Sequence, residues 1–401
     1  MSDVFWNLGA SGDWDVAANW TPETVPGVGD DAVLGVTGFA IVQSYTVSVT
    51  AAASVNSITI SDADAELSIG TGVTTSVADD VTNAGDIELQ YGGQLTVSGN
   101  LSNTSTSEGT AAIDIDTDTN SGLNPSGGSS LSVTGTFNNT GRFSVGNGGL
   151  TAPTLITVGA LQNTGSISLT GNSSVGNSQQ AILDVLSPAP SIWTGTLSLY
   201  GQSLVEFSGG SIASIADDAQ IYLDSPDGYI SDAGGADDSA LSGLTSNAGD
   251  FELQDGASVT LSGGLTNTGT VRVDTNTDYG GDPNGGSTLN ITDALTNDDN
   301  LSIGNSILGA EALVTAASLA NTGAISLVGD VSKGNEAILD IAGAAPTTLT
   351  GSYDLGGRDS HGGDSLLEFG SGKILSIAAN AELYLANPTS FVADADDTTD
   401  D

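Results

Sequence analysis

A block of about 160 residues occurs twice in this chain, in the same internal order, so the fold has to give both copies equivalent surroundings. Asn83-Ala84-Gly85-Asp86-Ile87-Glu88-Leu89-Gln90 returns as Asn247-Ala248-Gly249-Asp250-Phe251-Glu252-Leu253-Gln254. Ala181-Ile182-Leu183-Asp184 returns as Ala337-Ile338-Leu339-Asp340, and Leu204-Val205-Glu206-Phe207 as Leu366-Leu367-Glu368-Phe369. A shorter unit recurs inside each block: apolar, x, Asn, Thr or Ala, Gly, x, apolar, x, apolar. Leu161 to Leu169, Leu265 to Val273 and Leu319 to Leu327 are three examples. Its asparagine falls at Asn83, Asn103, Asn139 and Asn163, then at Asn247, Asn267, Asn297 and Asn321, at spacings of about 20 to 36 residues, in the range of solenoid repeats.

The unit has a direct physical reading. Asn-Thr-Gly and Asn-Ala-Gly read as turns, because Asn and Gly tolerate positive φ. The alternation that follows has period two, the pattern of a half-buried strand. One such strand cannot bury its apolar face alone, whereas stacked rungs can, each pairing with the next about 4.8 Å away. Asparagines at one corner of successive rungs are then placed to form a hydrogen-bonded ladder. No long segment has a 3.6-residue period, so little helix is expected. The expected fold is all-β, a right-handed parallel β-helix of two homologous blocks, about 15 rungs and about 70 Å long. An antiparallel sandwich with hairpins every 8–12 residues is the competing architecture.

The expected organisation is an N-terminal cap over residues 1–50, a first block over 51–235, a second over 236–390 and an acidic tail over 391–401. The cap expectation rests on Trp6, Trp14 and Trp20, since a solenoid must cover its first open rung. The same three rings are also candidates for a carbohydrate-stacking platform.

With 49 acidic and 5 basic residues the chain carries a formal charge of −44, which repels nucleic acids and anionic membranes. The ordered alternation of its 38% hydrophobic residues argues against disorder despite that charge. Cysteine is absent, so neither disulfides nor thiolate metal sites are available. Met1-Ser2-Asp3-Val4 has neither the basic nor the apolar region of a signal peptide, and no stretch is apolar enough to span a bilayer.

The opening Gly12-Asp13-Trp14-Asp15-Val16-Ala17-Ala18-Asn19-Trp20, followed by Val25-Pro26-Gly27-Val28-Gly29-Asp30-Asp31-Ala32-Val33, resembles the start of many large bacterial repeat proteins, autotransporter-like and type I-secreted adhesins among them. The Leu-x-Asn-Thr-Gly-x-Ile-x-Leu units resemble rungs of filamentous-haemagglutinin-like and autotransporter passenger β-helices. Together these features cover most of the chain. The resemblance implies display outside the bacterial cell or on its surface, and adhesion or scaffolding as the work. The family's glycine-rich Gly-Gly-x-Gly-x-Asp calcium nonapeptide is not found here.

Catalytic chemistry has little support in the sequence. The single histidine, His361, follows Ser360 in a glycine-rich loop, and adjacent residues on such a loop do not form a triad. Glu206 and Glu368 occupy duplicated positions, which speaks for architecture rather than one active site. The strongest candidate site is a calcium loop: Asp114, Asp116, Asp118 and Asn120 alternate along the chain, and Asp274, Asn276 and Asp278 repeat the pattern. With Ile113 and Ile115 pointing inward, the three aspartates are expected to share the outer face, and calcium prefers such oxygen ligands. The competing expectation is a solvated acidic turn.

The sequence reading is therefore a non-catalytic adhesin stalk or matrix filament subunit, extracellular or on the bacterial cell surface. Its expected partners are further copies of itself, surface glycans or other surface proteins, with no nucleic acid and no membrane insertion. The alternatives are a calcium-dependent self-assembling surface-layer protein and a polysaccharide-active enzyme on the same fold.

Overall fold

A computed structural model describes residues 2–7, 9–35, 44–105, 111–118, 126–173, 179–232, 234–277, 285–357 and 363–395. The chain divides into two compact units, Met1–Pro188 with Gly195–Ser208, and Ala189–Thr194 with Gly209–Asp401. This division reflects packing and lies upstream of the 235/236 boundary expected from the repeats.

Each unit is a parallel β-helix built on three columns of short strands. In the first unit one column runs Tyr45–Val49, Ala65–Ile69, Asp86–Leu89, Ala112–Ile115, Arg142–Val145, Ser166–Thr170 and Thr196–Tyr200, every pair parallel and in register. A second column begins Ala53–Val55, Thr74–Val77 and Gln94–Val97, and a third begins Ser57–Ile60, Val81–Asn83 and Leu101–Asn103. These two columns join in the long strands Ser130–Asn139 and Thr154–Asn163, which turn the corner at a register shift between Val133 and Thr136. The second unit repeats the plan. One column runs from Gln220–Asp224 through Asp250–Gln254, Thr270–Val273, Asn300–Ile303, Ala324–Leu327 and Ser352–Leu355 to Glu382–Leu385. The long strands Thr288–Asn297 and Ala312–Asn321 bend at the matching shift between Ile291 and Ala294.

Period-two alternation produces this arrangement because in-register stacking puts like residues on like. Val47, Leu67, Ile87, Ile113, Phe143, Ile167 and Leu197 form one inward column, none more than 1% exposed. The antiparallel sandwich is excluded by these pairings: among the strand pairs described, only Asp3–Trp6 with Trp20–Thr21 is antiparallel. No α-helix occurs among the described residues, only the 3-10 turns Ala17–Asn19 and Ser239–Leu241.

The asparagine ladder forms, but not as a turn device. Asn83 Nδ2 donates to Asn103 Oδ1 at 2.9 Å, Asn103 to Asn139 at 2.8 Å and Asn139 to Asn163 at 2.8 Å. The second unit has the same series, Asn247 to Asn267 to Asn297 to Asn321, with each link 2.8 Å. These residues end their strands without positive φ and point inward, and the ladder gives a buried corner its hydrogen bonds. Gly85, Gly165 and Gly249 are not at positive φ either. They are required by close approach: a Cβ there would overlap the carbonyl oxygen of Ala65, Gly141 or Ala219 in the rung before.

Candidate functional site

The Asp114 loop departs from its sequence reading. The strand ends at Ile115, and Asp116 takes a φ of 52°, which turns its side chain into the protein, where it is 1% exposed. Its carboxylate accepts from Ser129 N at 2.9 Å, Ser129 Oγ at 2.7 Å, Thr154 Oγ1 at 2.6 Å and Tyr91 N at 3.1 Å. Asp114 remains outside and is held by both Arg142 guanidinium nitrogens at 2.6 Å. Asp118 accepts from the Tyr91 hydroxyl at 2.7 Å. The three aspartates therefore do not share one face. Period-two alternation holds only while the backbone stays extended, and one left-handed residue reverses it.

Asp274 repeats the device at φ 54°, accepting from Ser287 N at 2.8 Å, Ser287 Oγ at 2.6 Å and Asp255 N at 3.1 Å. Burial pushes its carboxyl up to about 6 against the lowering effect of the Ser287 and Asp255 hydrogen bonds. Asn147 and Asn305 bind the carbonyl oxygens of Asp116 and Asp274 at 2.6 and 2.7 Å, and Asn305 also binds that of Asn276 at 2.9 Å. Asn120 and Asp278 lie outside the described residues, as do Ser360 and His361. Among the described residues no group of three or more His, Cys, Asp or Glu is placed to hold a metal ion.

The three N-terminal tryptophans are buried against one another. Trp6, Trp14 and Trp20 are 2%, 2% and 0% exposed and pack edge to face, with Trp20 at 5.0 Å from Trp6 and 4.8 Å from Trp14. Trp20 Nε1 donates to the Trp14 carbonyl oxygen at 2.7 Å. Rings buried in this way offer no face to a sugar, which corrects the stacking-platform expectation for all three.

Two outward features were missed in the sequence. First, in-register stacking builds an aliphatic strip on the outside of each unit: Leu155, Ile182 and Leu204 in the first, Leu313, Ile338, Leu366 and Phe391 in the second. A carboxylate strip runs two residues away, Asp184 with Glu206 and Asp340 with Glu368. The signal was present in Ala181-Ile182-Leu183-Asp184, an apolar run that breaks strict alternation. Second, residues 233–245 separate Gly228–Asp232 from Ser246–Asn247, where residues 78–80 alone separate Thr74–Val77 from Val81–Asn83. Its described part, residues 234–245, is anchored by Ala240, Leu241 and Leu244, all 0% exposed, and walls a cleft of about 450 Å³ against Ser258–Leu261.

No family model, no curated protein and no solved structure matches this chain. No helix among the described residues is long and apolar enough to cross a membrane.

Carboxyls crowd on the outer surface of the first unit. Burial, then the hydrogen bond and charge of Glu88, push Glu66 up to about 7. In the second unit burial and the Asp255 charge push Asp224 up to about 6.

Proposed function

We propose that this protein is a non-catalytic structural or adhesive β-helix, displayed outside the bacterial cell, that meets other surfaces through its outward aliphatic strips. The duplicated strip carries this reading. Leu155 is 45% exposed and Ile182 and Leu204 are half-buried, at positions where a sheet bathed only by water ordinarily carries polar residues. An apolar strip with a polar rim is the usual mark of a contact surface. Its repetition on equivalent strands gives each chain two equivalent contacts, which multiply avidity for a surface. The ladders and the buried Asp116 and Asp274 anchors supply the rigidity that such display requires.

The test is adhesion of beads coated with the full chain to bacterial and host-cell surfaces, with sedimentation of the soluble protein alongside. Ile182→Asp with Ile338→Asp is expected to abolish adhesion or self-association while the far-ultraviolet spectrum stays unchanged, because both side chains face outward. Adhesion that survives the double variant, or reducing-end release from a polysaccharide panel, would overturn the proposal.

A further inference from the structure

We propose that the cleft between residues 234–245 and strand Ser258–Leu261 binds a neutral saccharide. This gives the adhesive reading a ligand and rests on it for biological sense; the chemistry of the cleft is argued on its own residues. The volume, about 450 Å³, lies in the range of small-ligand sites. Tyr229, Asp237, Asp238, Ser239, Ser258 and Thr260 line it, a mixture of one aromatic ring, carboxyls and hydroxyls. Ser258 and Thr260 alternate with Val259 and Leu261, which are buried, so their hydroxyls stand on one side of the strand about 6.6 Å apart. An aromatic side chain with an apolar body and a polar tip, beside paired donors and acceptors, suits a ligand that is apolar on its ring faces and hydroxylated at its edge. No Lys or Arg lines the cleft, and the chain's charge of −44 disfavours an anionic sugar.

The wall is preformed. Asp238 Oδ1 accepts from Ile230 N at 2.8 Å, and Ser239 Oγ accepts from Asp232 N at 2.9 Å, which fixes both side chains at the rim. Preorganised groups lose little entropy when a ligand arrives. Burial pushes the Asp238 carboxyl up to about 7, so near neutral pH a large fraction is protonated and able to donate as well as accept. The first block has only residues 78–80 at the matching corner, so among the described residues the cleft has no counterpart there, although the strips occur in both units.

The experiment is saturation-transfer NMR and titration calorimetry on the full chain with cellotriose, maltotriose and mannotriose, and with calcium chloride as a cation probe. Binding of at least one trisaccharide at one site per chain is expected. Thr260→Trp, an exposed position that fills the cleft, should weaken it at least tenfold with the melting temperature retained. Tyr229→Ala should do the same, and Tyr229→Phe should keep most of the affinity. Failure of all three sugars to bind, binding that Thr260→Trp leaves intact, or calcium heat abolished by Asp237→Asn without sugar binding would each overturn the proposal. The two readings fail separately. Bead adhesion that persists in Thr260→Trp while no sugar binds removes the cleft and leaves the strips. Sugar binding in a chain that adheres to nothing removes the adhesive reading and leaves the cleft.

Discussion

Asn139 is the most informative residue to replace, because it sits inside a ladder and not at its end. It is 0% exposed, accepts from Asn103 Nδ2 at 2.8 Å, and donates to Asn163 Oδ1 at 2.8 Å and to the Ser166 carbonyl at 3.1 Å. Asn139→Ala removes three hydrogen bonds, each with a net worth of about 1 kcal/mol. It also leaves the Asn163 oxygen and one Asn103 proton buried without their ladder partner, at about 1–3 kcal/mol for a stranded group. Water entering the vacated corner offsets part of this, so the expected loss is about 3–5 kcal/mol. Asn163 is at the ladder's end, so Asn163→Ala breaks one ladder link instead of two and is expected to cost less. Gln162→Ala, exposed on the same strand, is the control, expected within about 0.5 kcal/mol of wild type. Urea denaturation read by circular dichroism measures the ordering, and native-state hydrogen exchange localises it, since repeat arrays need not unfold in one step. A cost below about 1 kcal/mol for Asn139→Ala, or equal costs at Asn139 and Gln162, would refute the ladder as a source of stability.

Three further outcomes are expected. The melting temperature should fall as pH rises from 5 to 8: Glu66 and Asp238, raised to about 7, and Asp224 and Asp274, raised to about 6, bind protons more tightly folded than unfolded, so the stability they contribute is fully present below the unfolded carboxyl range near 4 and is lost as pH passes through the raised values. Glu66→Gln should recover about 1–2 kcal/mol of that loss at pH 8 after solvent screening is discounted, and a melting temperature that rises over this range would contradict the assignment. Gly85→Ala should cost about 1–3 kcal/mol in denaturant titration, because the new Cβ meets the Ala65 and Asp62 carbonyl oxygens, whereas Gly70→Ala, with open space around it, should be neutral or slightly stabilising. Asp116→Asn and Asp274→Asn should lower the melting temperature equally with and without calcium, since protein donors satisfy both carboxylates; a loss seen only with calcium present would restore a metal role to these loops.

The columns were legible in the sequence because a stacked fold repeats its local rule. Leu161 to Leu169 and Leu319 to Leu327 state which residues face inward, and the recurrent asparagine announces a shared corner. The sequence reading failed where a single backbone torsion or a distant neighbour decides the outcome. Nothing in Asp114-Ile115-Asp116 signals that Asp116 alone turns left-handed, and nothing in Asn83-Ala84-Gly85 distinguishes a glycine needed for positive φ from one needed because the preceding rung lies against it. Whether a tryptophan ring lies in the core or at the surface depends on the packing of Trp6 and Trp14 onto Trp20, which their spacing does not state. The insertion before Ser246 left no mark in the sequence reading, because its three anchors Ala240, Leu241 and Leu244 are too few to set a period.

The central claim is in-register parallel stacking, and the absence of cysteine makes it directly testable by oxidation of engineered pairs. Thr82 stands beside Thr59 on one side and Ser102 on the other, with all three side chains on the outer surface of their column. Neighbouring strands about 4.8 Å apart fall within disulfide reach, and strands two rungs apart, at about 9.6 Å, do not. Thr59→Cys with Thr82→Cys, and Thr82→Cys with Ser102→Cys, are expected to form intramolecular disulfides, whereas Thr59→Cys with Ser102→Cys should remain reduced. Efficient oxidation of the Thr59 and Ser102 pair, or failure of Thr82 to link with either neighbour, would contradict the stacked β-helix.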